Sequence, residues 1–425
     1  MKLHKCYDVV VIGGGAAGIA AAIGAAKTGA KTMLIERSGC FGGQATNANV
    51  ASYCGFFTHE KKPRQVVKGI GQEVLDGLAD LGGYSGCSFS GVGNAIIPFD
   101  EELLKVALDN LMRKYALDVL LHCTLVRAET APDEKKIHAV VCVDDENEYT
   151  FEAAAFVDAT GDANLAHLAG AATRYGDGKG GGYFSTKVMR IDCVAPETNL
   201  SPKVMEPILH KAKADGYNLI TKESGIIFRT EPDMIYAILP STAVPSLDAT
   251  ALTECEMQTR AQCQQYIQVF RKYVPGMENA RLLSTGNTLG LRDTRHMIGK
   301  ETLMEQDVLS ARKRPDRIAR GAWPCEMHND IRKMGEYLWI ENDDYYDISL
   351  GILESATVKN LWGAGRCVSA DPIAFASVRV MGIGFATGHA AGVAAALTAT
   401  GKDAAVPAVQ QELQQQGAEI FSTPN

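Results

Sequence analysis

The sequence predicts an α/β fold: a parallel-sheet domain interrupted by an inserted α+β domain. Three observations predict it. A strand–glycine turn–helix–strand unit opens the chain, a region of different texture fills the middle, and strand, glycine turn and Ala-rich helix return near the end. At 425 residues the chain is long enough for two or three domains.

Residues 7–12 are short, β-branched and bounded by glycine, the pattern of a buried parallel strand. Residues 16–29 form an Ala-rich helix ending at Gly29, and residues 31–35 a second strand ending at Glu36. This β-α-β unit has the size of a mononucleotide-binding half. A helix is expected at about 64–81. An amphipathic one follows at 100–115, with Leu103, Leu104, Ala107, Leu108 and Leu111 on one face. Residues 118–128 are strand material, and 137–143 with 148–158 form a hairpin. The expected first domain is residues 1–172. Residues 173–345 mix strand-like runs (226–239) with a long polar helix (249–272) and form the insert. Residues 346–405 return to the first domain through an Ala-rich helix (383–398), and 406–425 are a polar, exposed tail with a frayed end.

Between the first strand and helix, Gly13, Gly15 and Gly18 have the G-x-G-x-x-G spacing. Gly13 permits the turn, Gly15 lets a pyrophosphate approach the backbone, and Gly18 lets helix and strand pack closely. The helix start at Ala16 and Ala17 offers free N–H groups and partial positive charge to phosphates. Glu36, with Arg37 beside it, lies about 20 residues on, where a carboxylate accepts hydrogen bonds from ribose hydroxyls. A Rossmann-like dinucleotide-binding domain is the reading.

Three later segments distinguish the dinucleotide. Gly42-Gly43-Gln44 after the second strand resembles the second glycine cluster of FAD enzymes of the glutathione-reductase structural class. Ala159-Thr160-Gly161-Asp162 resembles that class's Ala-Thr-Gly turn. Gly363-Ala364-Gly365-Arg366 resembles the late segment that returns to the FAD domain. The chain from 7 to 398 also resembles the FAD-dependent oxidoreductase family in Gly290-Leu-Arg292-Asp293-Thr-Arg295-His296 and in Ala364-Gly365-Arg366-Cys-Val-Ser369-Ala, continuing to Arg379-Val-Met381. The resemblance implies FAD as cofactor and a Rossmann-like FAD-binding domain with an inserted substrate domain. It implies little about substrate.

Reduction places negative charge at one edge of a flavin, so a helix start at Gly382-Ile383-Gly384 is expected to stabilise it. The alternative is a glycine-entered core helix. Leu125 and Val126 sit where this class contacts adenine, or are plain core strand. Arg292, Arg295, Arg366 and Arg379 carry planar forks suited to a carboxylate or phosphate. They can hold an anionic substrate, or pair with flavin phosphate or across the domain interface. Hydride transfer needs an acid/base partner, for which His296 and His328 are the candidates, each with a structural histidine as its alternative. The expected catalytic set is therefore His296, His328, Arg292 and Arg295.

The 11 cysteines, an odd number, contain no Cys-x-x-Cys, which argues against a zinc ribbon, an iron–sulfur cluster or a disulfide scaffold, and no metal is expected. Cys40 and Cys54 have the wrong separation for a disulfide reductase. Gly176–Gly182 lacks the Gly-Lys-Ser/Thr ending of a phosphate loop, so NTPase chemistry is excluded. A net charge of −8 disfavours nucleic acid. No membrane-spanning run and no signal sequence is read, and a cytoplasmic location is expected. The expected function is hydride transfer between a small organic substrate, an anion being one reading, and flavin N5, with an unidentified second electron carrier. A homo-oligomer is compatible with this, and the alternative is an electron-transfer subunit serving a redox partner.

Overall fold

A computed structural model describes residues 1–131, 133, 135–402 and 404–421. Its centre is a seven-stranded sheet. Parallel neighbours run Asp118–Leu120, Thr32–Ile35, Lys2–Ile12, Glu148–Asp158 and Leu361–Gly363. Strands Lys136–Val143 and Thr124–Ala131 extend it antiparallel. Glu148–Asp158 is shared along its length: its first half pairs with Lys136–Val143, and Phe156–Asp158 pairs with Leu361–Gly363. The early and late parts of the chain thus close one sheet, as the returning texture predicts.

Helix Ala16–Lys27 packs against helix Met381–Ala399 through small residues. A Cβ at Gly388 or Gly392 would collide with the Ala17 or Ala21 carbonyl, so only glycine permits this backbone approach. Met381–Ala399 is apolar on every side because it is buried on every side. By length and composition it could cross a membrane, contrary to the expectation from the sequence, yet most of it is enclosed by other elements.

The insert has its own core. Sheet Ile226–Glu231, Met234–Ile238, Met189–Asp192 and Arg281–Thr285 packs on helices Pro202–Ala214 and Ala249–Tyr273 around Met189, Leu209, Tyr266 and Phe270. This core is narrower than the expected 173–345. Leu303, Ile318, Trp323, Tyr346 and Leu353 join the main core with Ile19 and Phe385. Their polar, charged neighbours give that region an insert-like texture although its apolar residues face the first domain. The insert is tied back by buried Glu101, which accepts from the Tyr236 hydroxyl at 2.6 Å and pairs with Arg190 at 3.0 Å.

The expected exposed tail is corrected as well. Helix Val406–Gln415 buries Val409 and Leu413 in the main core. Buried Gln416 bonds the His389 ring at 2.8 Å and donates to Gly24 O and Thr28 Oγ1. The last residues of the expected tail, 422–425, lie outside the described residues.

Candidate functional site

The cleft is assembled from backbone turns. Strand Lys2–Ile12 ends at Gly13, whose φ of +103° and contact with the Ala159 carbonyl exclude a side chain. The turn before helix Ala16–Lys27 is therefore pressed against the 159–162 turn. Gly42 N donates to Gly14 O at 2.8 Å, and a Cβ at Gly43 would sit 2.9 Å from Gly15 Cα. Asp158, fully buried, shapes the third turn by accepting from Thr160 N, Thr160 Oγ1 and Ala166 N. Burial pushes its carboxyl above the usual range against these bonds. The three glycine segments and the late Gly365 turn converge on one cavity, about 180 Å³. A second, about 310 Å³, shares Gly13, Glu36, Arg37 and Thr160 with it and is walled by Leu125 and Val126.

Most residues expected to hold a cofactor line these two cavities: Gly13, Gly15, Ala16, Ala17, Glu36, Arg37, Gly42, Gly43, Gln44, Leu125, Val126, Ala159, Thr160, Gly161, Asp162, Gly365, Arg366, Arg379 and Gly384. Three do not. Gly18 is buried against the Gly13 carbonyl, Gly382 against that of Cys54, and Ile383 points into the core. The late helix begins two residues earlier than the expected 383, after Val380, so Met381 and Gly384 present its start to the cleft. Asn47, Thr288, Asn164 and His167 also line the site. Thr288 comes from the far end of the insert and donates its N–H to Asn47 O at 3.0 Å. Nothing in its sequence surroundings marks it.

A dinucleotide fits this donor set. Glu36 is 7% exposed and stands at the junction of the cavities, its oxygens accepting from Gly14 N at 2.6 Å and Ser38 N at 2.7 Å. Each oxygen keeps a lone pair for a ribose hydroxyl. Gly13, Gly15 and Gly43 bring backbone to the cavity wall beside the helix start, where a pyrophosphate would meet free N–H groups. Buried Gln44 Oε1 has no partner and lies at the end where the ring of a flavin would be placed.

The arginine and histidine candidates separate into two groups. The first clamps the phosphate-side turns. Arg366 donates to Gly161 O and Asp162 Oδ1, both at 3.2 Å. Arg295 donates to Asp162 O at 3.1 Å and Asn164 Oδ1 at 2.9 Å. His296 is buried, with Nε2 2.7 Å from Asp293 Oδ1 and Nδ1 3.2 Å from Arg366 O. Both its ring nitrogens are occupied and neither faces the cleft. His296 and Arg295, expected as an acid/base partner and a catalytic residue, line neither cavity here and hold the 160–162 and 364–366 turns together.

The second group surrounds Glu326. Its carboxylate receives Trp323 Nε1 and the Tyr337 hydroxyl at 3.1 Å each, lies 3.3 Å from His328 Nε2 and 3.8 Å from Arg379. Burial alone would raise its pKa, but His328, Arg379 and Arg292 together hold it far below the carboxylate range. Burial and then Arg292 push His328 down to about 3, so its ring is neutral. Its Nδ1 is buried without a partner. Arg292 donates to Phe184 O at 2.7 Å and is pushed down to about 10 by burial and by Arg379. Arg379 lines the cleft and joins it to this cluster. Lys222, 3% exposed, is lowered to about 7 by burial and by Arg292, and has no part in the sequence expectation.

Comparisons with known proteins agree with this architecture. Thioredoxin reductase of Bacillus subtilis (strain 168) is 37% identical over 91 residues, 18% of this chain and 28% of that protein. The solved structure of BexE, studied for oxidation during BE-7585A biosynthesis, superposes with a TM-score of 0.52 at 12% identity, covering 96% of this chain and 66% of that one. OxyS anhydrotetracycline hydroxylase from Streptomyces rimosus gives 0.50 at 12% identity over 97% and 66%. At these identities the structures share the fold. The model of the family described as FAD dependent oxidoreductase matches residues 8–416, and the chain belongs to that family, an enzyme with FAD as its cofactor.

Proposed function

We propose that the enzyme transfers a hydride between a small organic substrate and FAD held in the cleft. When bound, FAD supplies the atom that accepts or donates the hydride, and the protein supplies position and charge. One observation carries the reading. A single cleft runs from the ribose anchor Glu36 to the start of helix Met381–Ala399, where Thr288 of the insert, Gln44 and Arg379 meet. Glu36 would hold the ribose, and Leu125 and Val126 the adenine. The free N–H groups at Met381 would favour negative charge on the reduced ring. Arg366 and Asp162 would fix the turns against the pyrophosphate. The substrate would enter between the insert and the ring, with Arg379 the first charged group it meets.

Anaerobic titration of the yellow protein with small hydroxy acids, alcohols, amines, NADH and NADPH tests this. Loss of the visible flavin band with an organic substrate is the expected result. Bleaching by none of them, but by a copurifying redox protein, favours the electron-transfer alternative instead.

A further inference from the structure

The first strand carries a second group of ligating side chains at its other end. Residues Lys2–Tyr7 extend it beyond the buried Val9–Ile12 stretch and pair with Glu148–Ala153. His4 and Cys6 are two apart on this extension and so share a face. Glu152 is the register partner of Cys6. Its Oε1 lies 3.0 Å from His4 Nε2, and its Oε2 3.7 Å from Cys6 Sγ. One ligand atom from each of the three residues falls within 4.8 Å of the other two. From Cys6 to Gly13 the strand runs roughly 23 Å, at about 3.3 Å per residue, so this group is no part of the nucleotide cleft. Glu152 lies 146 residues beyond Cys6, so no ligand spacing announces the group in the sequence.

Donor chemistry and geometry select the ligand. Thiolate, imidazole and carboxylate are the donors of zinc, whereas calcium and magnesium take oxygen. Bonds of about 2.0 Å to nitrogen and oxygen and about 2.3 Å to sulfur, at tetrahedral angles, put donor atoms roughly 3.3–3.5 Å apart. The 3.0 and 3.7 Å found here bracket that range closely. A thiolate and a carboxylate carry two negative charges and the imidazole none, so a divalent cation leaves the site neutral. Among the described residues, Glu152 is the only partner that the side chains of His4 and Cys6 have, so neither is committed elsewhere. Lys2, next along the same face, is already paired with Glu148 at 3.5 Å. All three side chains are exposed, so an ion reaches them without rearrangement and water can complete the coordination.

We propose that His4, Cys6 and Glu152 form a zinc site, with water as the fourth ligand, that fastens the start of the first strand to Glu148–Asp158. Among the described residues, Lys2–Tyr7 has a strand partner on one side only, because Thr32–Ile35 joins the sheet at Val9. An exposed His–Glu pair alone holds such an edge weakly. An ion with two ligands on one strand and one on its neighbour clips the two together.

The test uses the FAD-loaded protein, stripped with a chelator, kept reduced with a phosphine and titrated with zinc chloride or cobalt chloride. One equivalent of zinc is expected to bind, and cobalt to give tetrahedral visible bands at wavelengths beyond the flavin absorption. Zinc should also slow amide hydrogen exchange in residues 2–7 and leave the cleft turns unchanged. Cys6→Ser and His4→Ala should each weaken zinc binding at least about tenfold with FAD content retained. Cys193→Ser, at another exposed cysteine, should leave it unchanged. If either ligand variant loses its near-ultraviolet circular dichroism, the other decides. Failure to take up zinc, unchanged affinity in a folded Cys6→Ser or His4→Ala protein, or an octahedral cobalt spectrum, the sign of an ion held only by surface carboxylates and water, overturns the assignment.

Discussion

The nucleotide cleft and the Glu326 cluster are built in opposite ways. The cleft is backbone: glycine turns in contact, N–H groups and one anchoring carboxylate, contributed by short contiguous motifs. The cluster is side chain: Glu326, His328 and Tyr337 come from one stretch of the chain, and Lys222, Arg292 and Arg379 from three distant ones. The cleft works by leaving space, the cluster by holding charge out of water. Substitutions in the first should therefore affect ligand binding, and in the second stability and its pH dependence.

The largest expected effect is at Lys222. Its folded pKa is about 7 against 10.5 when free, so between these values the unfolded chain binds the extra proton and stability rises with pH. The gain across that window is up to about 5 kcal/mol, from about 1.4 kcal/mol per unit. Lys222→Met should remove it: urea midpoints at pH 7 and 9.5 would converge in the variant and diverge in the wild type. Next, Glu326→Leu removes the carboxylate 3.8 Å from Arg379 and should cost about 3–5 kcal/mol at neutral pH. A drop in melting temperature of only a degree or two would mean the cluster is far better hydrated than its burial indicates.

In the cleft, Gly13→Ala forces a Cβ onto the Ala159 carbonyl at positive φ. FAD affinity should fall roughly a hundredfold, read as flavin absorbance per protein after gel filtration. The smallest effect is at Glu36→Gln. The amide cannot accept at both positions, leaving the Gly14 or Ser38 N–H poorly served. FAD affinity should weaken about tenfold with stability nearly unchanged, since one charge-assisted hydrogen bond is worth about 1.5 kcal/mol. A large loss of stability in either glycine-turn variant would erase the contrast between the two regions.

The same contrast explains what was legible in the sequence. Gly13, Glu36, Gly42, Thr160 and Gly365 could be found because a nucleotide-binding turn needs particular residues at fixed short spacings. The Glu326 cluster has no spacing rule. Of it, His328, Arg292 and Arg379 were candidates only as polar residues in suggestive stretches, and buried Lys222 looked like any lysine before a loop. For His296 the sequence could not show its surroundings, because a histidine beside two arginines has the same appearance whether its ring nitrogens are free or, as here, both engaged. The insert was placed too broadly for a related reason. Residues 303–353 are polar enough to resemble it, and only three-dimensional packing assigns their apolar side chains to the main core.

The docking of Gln416 onto Gly24 and His389 has a consequence for biogenesis. The helix Ala16–Lys27 leaves the ribosome well before its partners Met381–Ala399 and Val406–Gln415. Nascent chains would hold that helix with one flank bare until those segments emerge, and capture of the cofactor would then wait for them.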